Sequence, residues 1–189
     1  MRRPEPGAGT PSPLIVVTGV PASGKTGLAT ALAERLGCAL VSLDEIKEEL
    51  AVEAEDTPRD WLRYDAEAEL LRRVEAFGGE AVVDIWIAPR RDTERIVDLL
   101  EPWWDRLVEV RCQVPAVVAI ERYVARERPW PHLPPDEDTL ARIRDAAERP
   151  EALGAPRTVV VDTTRPVEIG DVVTAVRRET GARHRVRRG

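Results

Sequence analysis

A chain of 189 residues with 43% hydrophobic content and a formal net charge of −6 has the size and apolar fraction for one globular domain. It is long enough for a sheet covered on both faces, and a separate substrate domain is not expected. The acidic balance argues against a broad nucleic-acid surface, since phosphate backbones reward clustered Lys and Arg. No apolar run approaches the roughly 18 residues of a membrane span, and the Arg- and Pro-rich start lacks the apolar core of a secretion signal. A cytoplasmic protein is expected.

Residues 1–13 hold four prolines and two glycines without periodicity and read as a disordered leader. A folded domain is expected over 14–181. Apolar runs of strand length recur at 14–18, 38–42, 81–86, 106–112 and 158–162. Helix-period stretches separate them at about 25–36, 59–77, 92–101, 116–127 and 137–148, and a last one follows Pro166 through Val167, Ile169, Val172, Val173 and Val176. This alternation predicts an α/β fold with a parallel sheet, in which ligands bind beyond the carboxyl ends of the strands. Cys38 and Cys112, each beside a predicted strand and outside any CxxC or Cys/His cluster, read as buried thiols.

The first run breaks at Thr18 into Gly19-Val20-Pro21-Ala22-Ser23-Gly24-Lys25-Thr26, which is GxxxxGKT between a strand and a helix. That pattern is a phosphate-binding loop, the Walker A motif. Gly19 and Gly24 let the backbone turn its N–H groups inward, and the following helix adds the positive end of its dipole. Pro21, Ala22, Ser23 and Gly27 belong to the same cradle. Lys25, one of only two lysines in the chain, is expected on the β- and γ-phosphates, and the Thr26 hydroxyl on Mg²⁺. A Gly-rich turn without a ligand is the bland alternative.

The second run ends in Ser42-Leu43-Asp44, beside the phosphate loop. Asp44 is the candidate general base, because a hydroxyl attacking a γ-phosphoryl group needs orientation and a destination for its proton. The alternative is a helix N-cap, with Lys47 three positions on where a capping box would have Glu or Gln. Glu45 reads as a first-turn acid. The third run, Ala81-Val82-Val83-Asp84, has the Walker B form, with Asp84 expected to hold Mg²⁺ opposite Thr26; a strand-ending aspartate is the alternative. Trp86 reads equally as a pocket wall or as core, and Arg90, Arg91 and Trp130 are further candidates for the pocket wall.

Between the fourth and fifth strands, Arg122 and Arg126 fall one helical turn apart, with Arg128 just beyond. These arginines are candidates to close over the transferring phosphoryl group, within a lid around 122–136 whose Pro-rich stretch 129–135 ends the helix. A solvated charged face is the alternative. His132 reads as a lid surface residue, Asp162 as a turn cap or a residue near the base, and 182–189 as a basic, frayed tail.

In order, the phosphate loop, its Leu-Ala-x-x-Leu-Ala-x-x-Leu helix, Ser42-Leu43-Asp44, Val82-Val83-Asp84, the Arg122 to Arg128 cluster and Val161-Asp162-Thr163-Thr164 resemble the small P-loop kinases. Within these the chain looks most like the group of chloramphenicol phosphotransferase, zeta toxin-like kinases and polynucleotide kinase. The resemblance implies a five-stranded parallel sheet in the order 2-3-1-4-5, with helices on both faces, ATP as donor and a free hydroxyl as acceptor. It also implies Asp44 as the activating base and Arg122, Arg126 and Arg128 on the phosphates. The acceptor expected is a small molecule such as an antibiotic, a sugar or another metabolite. A nucleic-acid end and a non-kinase nucleotide switch are the other readings; the switch lacks an Asn-Lys-x-Asp guanine element.

Overall fold

The computed structural model describes residues 13–53, 58–127 and 130–181. The leader expected at 1–13 therefore lies almost wholly outside the described residues, as do the 182–189 tail and Arg128.

Five strands, β1 (Leu14–Thr18), β2 (Ala39–Ser42), β3 (Ala81–Asp84), β4 (Leu107–Gln113) and β5 (Thr158–Asp162), form one sheet in the order β2-β3-β1-β4-β5. All four pairings are parallel. Parallel strands need crossovers, and these come as α1 (Lys25–Leu36), α2 (Leu43–Glu53), α3 (Arg59–Ala76), α4 (Thr93–Leu100), α5 (Ala116–Val124) and α6 (Glu137–Glu148), with α7 (Ile169–Gly181) last. A 3₁₀ turn over Glu101–Arg106 joins α4 to β4, with Pro102 in its first turn.

Strand side chains alternate between two apolar layers. Leu14, Val16, Val41, Val83 and Leu107 pack with Ile46 of α2, Leu70 and Val74 of α3 and Ile96 of α4. Ile15, Val17, Val82, Val108 and Val110 face Leu28 and Leu32 of α1 and Val172, Val173 and Val176 of α7. A small third cluster of Ala119, Tyr123 and Ile143 joins α5 to α6. The expected three-layer arrangement and strand order are those found.

Three of the differences from the sequence reading bear on the site. β3 stops at Asp84 and not at 86, so Trp86 leaves the sheet. α5 ends at Val124 and not near 127, which takes Arg126 off the helix that carries Arg122. α2 begins at Leu43, so Asp44 lies inside its first turn and is not the residue before the helix; the cap hydroxyl is that of Ser42, which accepts from Glu45 N–H at 3.4 Å.

Register decides what meets at the carboxyl edge. Asp84 sits level with Val17 of β1 and Ser42 of β2. The Walker B aspartate, the start of the phosphate loop and the turn to Asp44 thus share one corner of the sheet. Among the described residues no helix is long and apolar enough to cross a membrane.

Candidate active site

The phosphate loop takes its shape from backbone that most residues avoid. Gly24 has φ 90° and Ala22 φ 63°, and the loop is closed by Ser23 N–H donating to Val20 O at 3.0 Å. α1 has no side-chain cap, and its first bond runs from Leu28 N–H to Gly24 O. The N–H groups of Lys25, Thr26 and Gly27 are consequently left for an anion. A side chain on Gly27 would meet nothing within 4 Å, so its place in the cradle rests on its N–H alone.

Gly19 is constrained more tightly, with φ 153° and Ser23 Oγ directly over the position a Cβ would take, 3.0 Å from Cys112 Cβ. Gly19→Ala is expected to lower stability by about 1–3 kcal/mol, measured by urea unfolding, and to weaken nucleotide binding. Wild-type stability in that variant would show that the loop relaxes around the methyl group.

Lys25, only 6% exposed, rests its ammonium between two carboxylates, 3.7 Å from Asp84 Oδ1 and 3.9 Å from Asp44 Oδ2. Thr26 donates its hydroxyl to Asp84 Oδ2 at 2.7 Å. Asp84 is 2% exposed and its Oδ1 has no hydrogen-bond partner. Burial pushes its pKa up, with Lys25 and the Thr26 hydroxyl pulling the other way.

Thr26 and Asp84 offer two hard oxygens from two elements, one of them orphaned. This suits Mg²⁺, which takes one or two protein oxygens and completes its octahedron with water and phosphate. Among the described residues no cluster of three or more His, Cys, Asp or Glu would cage a metal by itself.

A carboxyl group whose folded pKa exceeds its unfolded value costs stability at every pH above that unfolded value. Asp84→Asn is therefore expected to melt at or above the wild-type temperature at neutral pH without ligands, and to lose the further rise that Mg²⁺ gives the ADP-bound protein. Thermal melts with and without Mg²⁺ read both effects. An undiminished metal increment would remove Asp84 from the metal site.

Asp44 faces a cavity of about 320 Å³ whose wall includes Pro21, Lys25, Lys47, Trp86 and Tyr123. Lys47 donates to Asp44 Oδ1 at 3.2 Å. Burial opposes ionisation of Asp44, but Lys47, Lys25 and His132 outweigh it and hold its pKa down to about 2. The carboxylate is ionised at any physiological pH. His132 pairs with Glu48 of α2 at 2.7 Å, and Tyr123 donates to Leu133 O at 2.7 Å, so residues 130–135 are docked over the cavity. His132 reaches this wall, where the sequence suggested only surface.

The arginines are placed differently from expectation. Arg122 donates to Thr163 O at 3.1 Å and Thr164 O at 2.8 Å, tying α5 to the turn after β5, so its guanidinium is engaged with carbonyls and is not free above the phosphates. Arg126 lies exposed beyond the end of α5 and off the cavity wall, because the helix ends one turn earlier than its periodicity suggested. Arg91 and Trp86 do line the cavity. Arg90 instead pairs with Asp145 at 2.7 Å, and Trp130 is off the wall.

Arg63 and Arg142, which sequence reasoning passed over, line the same cavity. Arg63 lies in the second turn of α3 with Glu67 one turn on, which reads as an ordinary helix-surface pair. A larger cavity of about 510 Å³ on the far side of Trp86 is reached by Gly19, Arg111 and Gln113 but not by Lys25 or Asp44.

The sequence matches the family described as AAA domain over residues 14–150. No curated protein matches it. Among solved structures, a protein of Chloroflexus aurantiacus J-10-fl classed by inference as a kinase is 24% identical, with TM-score 0.74 over 89% of this chain and 99% of its own. A gluconokinase from Sinorhizobium meliloti 1021 is 25% identical, with TM-score 0.59 over 91% of this chain and 96% of its own. Shikimate kinase from Acinetobacter baumannii, solved with shikimate, is 17% identical, with TM-score 0.59 over 93% and 96%. These neighbours share the P-loop kinase fold. The family match spans well over half of the chain and takes in the phosphate loop, Asp44 and Asp84, so the chain belongs to the AAA domain family.

Proposed function

We propose that the protein is an ATP- and Mg²⁺-dependent kinase that phosphorylates a hydroxyl group of a small molecule. The observation that carries the reading is the pairing of Lys25 and Asp44, 3.9 Å apart on the wall of one small cavity beside the phosphate loop. A nucleotide switch needs the lysine but has no use for an ionised carboxylate in a pocket next to it. Fold neighbours that include a gluconokinase and a shikimate kinase support a hydroxyl acceptor. The finer resemblance to chloramphenicol phosphotransferase, zeta toxin-like kinases and polynucleotide kinase fits the same chemistry without choosing an acceptor.

In the proposed step the acceptor oxygen forms a bond to the γ-phosphorus while the bond from that phosphorus to the β–γ bridging oxygen breaks. ADP leaves with the electron pair, and the hydroxyl proton passes to Asp44. Lys25 leaves its resting place between the carboxylates for the β- and γ-phosphates, and the N–H groups of Lys25, Thr26 and Gly27 hold the α- and β-phosphates. Thr26 and Asp84 would hold Mg²⁺, which when bound would neutralise charge on the phosphates. Arg122 steadies the turn after β5 that borders the nucleotide, and closure of the 130–135 segment keeps water from competing with the acceptor. Arg126 and Arg128 remain candidates for the phosphates only on further closing of the lid.

Incubation with labelled ATP and a panel of sugars, sugar acids and hydroxylated antibiotics, followed by mass spectrometry, tests the reading. The expected result is a phosphorylated product from at least one small polyol. Transfer to oligonucleotide ends alone, or hydrolysis of ATP with no acceptor used, would overturn it.

A further inference from the structure

The larger cavity, about 510 Å³, takes no part in the proposed phosphoryl transfer, since neither Lys25 nor Asp44 reaches it. Its floor is the sheet. Strand alternation puts Glu109, Arg111 and Gln113 of β4 on one face, and Thr18 and Asp162 end the neighbouring strands β1 and β5 level with Arg111 and Gln113. The end of α6 at Ala147 and Glu148, the returning chain at Leu153, and Trp86 with Ile87 complete the wall.

Arg111 is half-buried on this floor and makes no hydrogen bond or ion pair among the described residues. Its Nε is covered and unpartnered, and so is the indole N–H of Trp86. The carboxylate two residues back on the same face is engaged elsewhere. Glu109, 1% exposed, accepts from the Thr18 hydroxyl at 2.8 Å, Leu153 N–H at 3.3 Å and the Thr158 hydroxyl at 3.4 Å. The half-buried Gln113 amide also makes no hydrogen bond among the described residues. Donors held out of water without an acceptor are costly, and these belong to side chains of one cavity, so a single occupant can supply acceptors to them.

Charge and apolar lining narrow the occupant. Among the described residues the wall carries Glu109, Glu148, Glu151 and Asp162 against Arg111 as its one cation, which disfavours an anion. Ile87, Val114, Ala147 and Leu153 offer the apolar contact that suits a ring.

The geometry points to a second ligand site that takes a neutral planar ring with a carboxamide or lactam edge, its carbonyl accepting from Arg111 and its N–H donating to the Gln113 amide oxygen. A carbonyl satisfies the guanidinium without adding negative charge to an acidic wall, and a glutamine amide offers an acceptor and donors side by side. The volume suits a compound between a free base and a nucleoside in size. The site does not depend on the kinase reading. Trp86 belongs to both cavities, so an occupant bears on the back of the wall that faces Asp44.

The test uses the full-length protein, titrated with nicotinamide and uracil, and with nicotinate and orotate as the anionic counterparts of the same rings. Proton–nitrogen NMR reads the Trp86 indole N–H and the Arg111 Nε–H, assigned with Trp86→Phe and Arg111→Met. The expected result is a saturable downfield shift of both signals with at least one neutral ring, at a dissociation constant on the order of millimolar or below. Its anionic counterpart is expected to bind at least roughly 5-fold more weakly. Arg111→Met, which keeps apolar bulk but no donor, is expected to weaken the neutral ring roughly 10-fold. Ala147→Leu, which narrows the cavity and leaves every donor in place, is expected to do the same, and it carries the test if Arg111→Met does not fold. ADP affinity is expected to be unchanged in both variants, and saturating ADP with Mg²⁺ to leave the ring bound.

No saturable shift with either neutral ring, tighter binding of the anions, wild-type ring affinity in either variant, or displacement of the ring by ADP overturns the site. None of these outcomes touches the kinase reading, which stands or falls on transfer from ATP.

Discussion

Lys25→Ala is expected to lower phosphoryl transfer by a factor on the order of 10³ or more, with the fold intact. The lysine opens α1, its stem is buried, and its ammonium lies within 4 Å of the two carboxylates that would flank the reacting groups. In the proposed reaction neither Lys47 nor Arg122 replaces it, because Lys47 already donates to Asp44 and Arg122 to the carbonyls after β5. Loss of the ammonium leaves Asp84 facing Asp44 with less compensation. Burial already raises the pKa of Asp84, and loss of the ammonium acts in the same direction, which lessens the repulsion that the substitution leaves. Lys25→Arg is not expected to restore activity, because a planar guanidinium does not fit where a compact ammonium bridges two phosphates. Single-turnover transfer and circular dichroism on both variants check this; more than a tenth of wild-type transfer in Lys25→Ala would sink the assignment.

The same residues mark where the sequence could be read and where it could not. Runs such as Leu14–Thr18 and Ala81–Asp84 announce strands because a parallel sheet buried on both faces favours near-continuous apolar side chains, whereas Leu107–Gln113 is interrupted by Glu109 and Arg111. The phosphate loop, Asp44 and Asp84 were legible together, because strand ends in a parallel sheet share one edge and register brings Ser42, Val17 and Asp84 level.

The arginines were not. Arg122 spends its guanidinium on carbonyls about forty residues away, and Arg63 reaches Asp92 across β3, contacts that no helical period encodes. The placing of Arg126 on the helix of Arg122 failed for a local reason, the helix ending at Val124, where charge spacing alone gives no stop signal. Asp44 was near enough to a cap to suggest one, yet Ser42 takes that role and leaves the carboxylate free to face the cavity.

Asp44→Asn is expected to reduce turnover by about 10² or more while leaving ATP affinity nearly unchanged, since an amide of the same shape still reaches the hydroxyl but cannot accept its proton. The environment that makes Asp44 reliable also makes it a weak base. With its pKa held at about 2 by Lys47, Lys25 and His132 against burial, it orients the hydroxyl throughout and takes the proton only as the new P–O bond forms and the oxygen turns acidic. The acid limb of the wild-type turnover profile should then show no ionisation of Asp44 between pH 4 and 7.

Stability follows the same sign. A carboxylate whose folded pKa lies below its unfolded one stabilises the fold fully above the unfolded value near 4, and the contribution is lost as pH falls through about 2. Asp44→Asn removes it, so unfolding free energy is expected to fall at neutral pH and to depend less on pH between 4 and 2. Urea unfolding across that range measures the second effect, and turnover with a phosphorylatable acceptor the first. Unchanged turnover would take Asp44 out of the mechanism even if the pH dependence behaved as expected, because the ion pairs with Lys25 and Lys47 would then be purely structural.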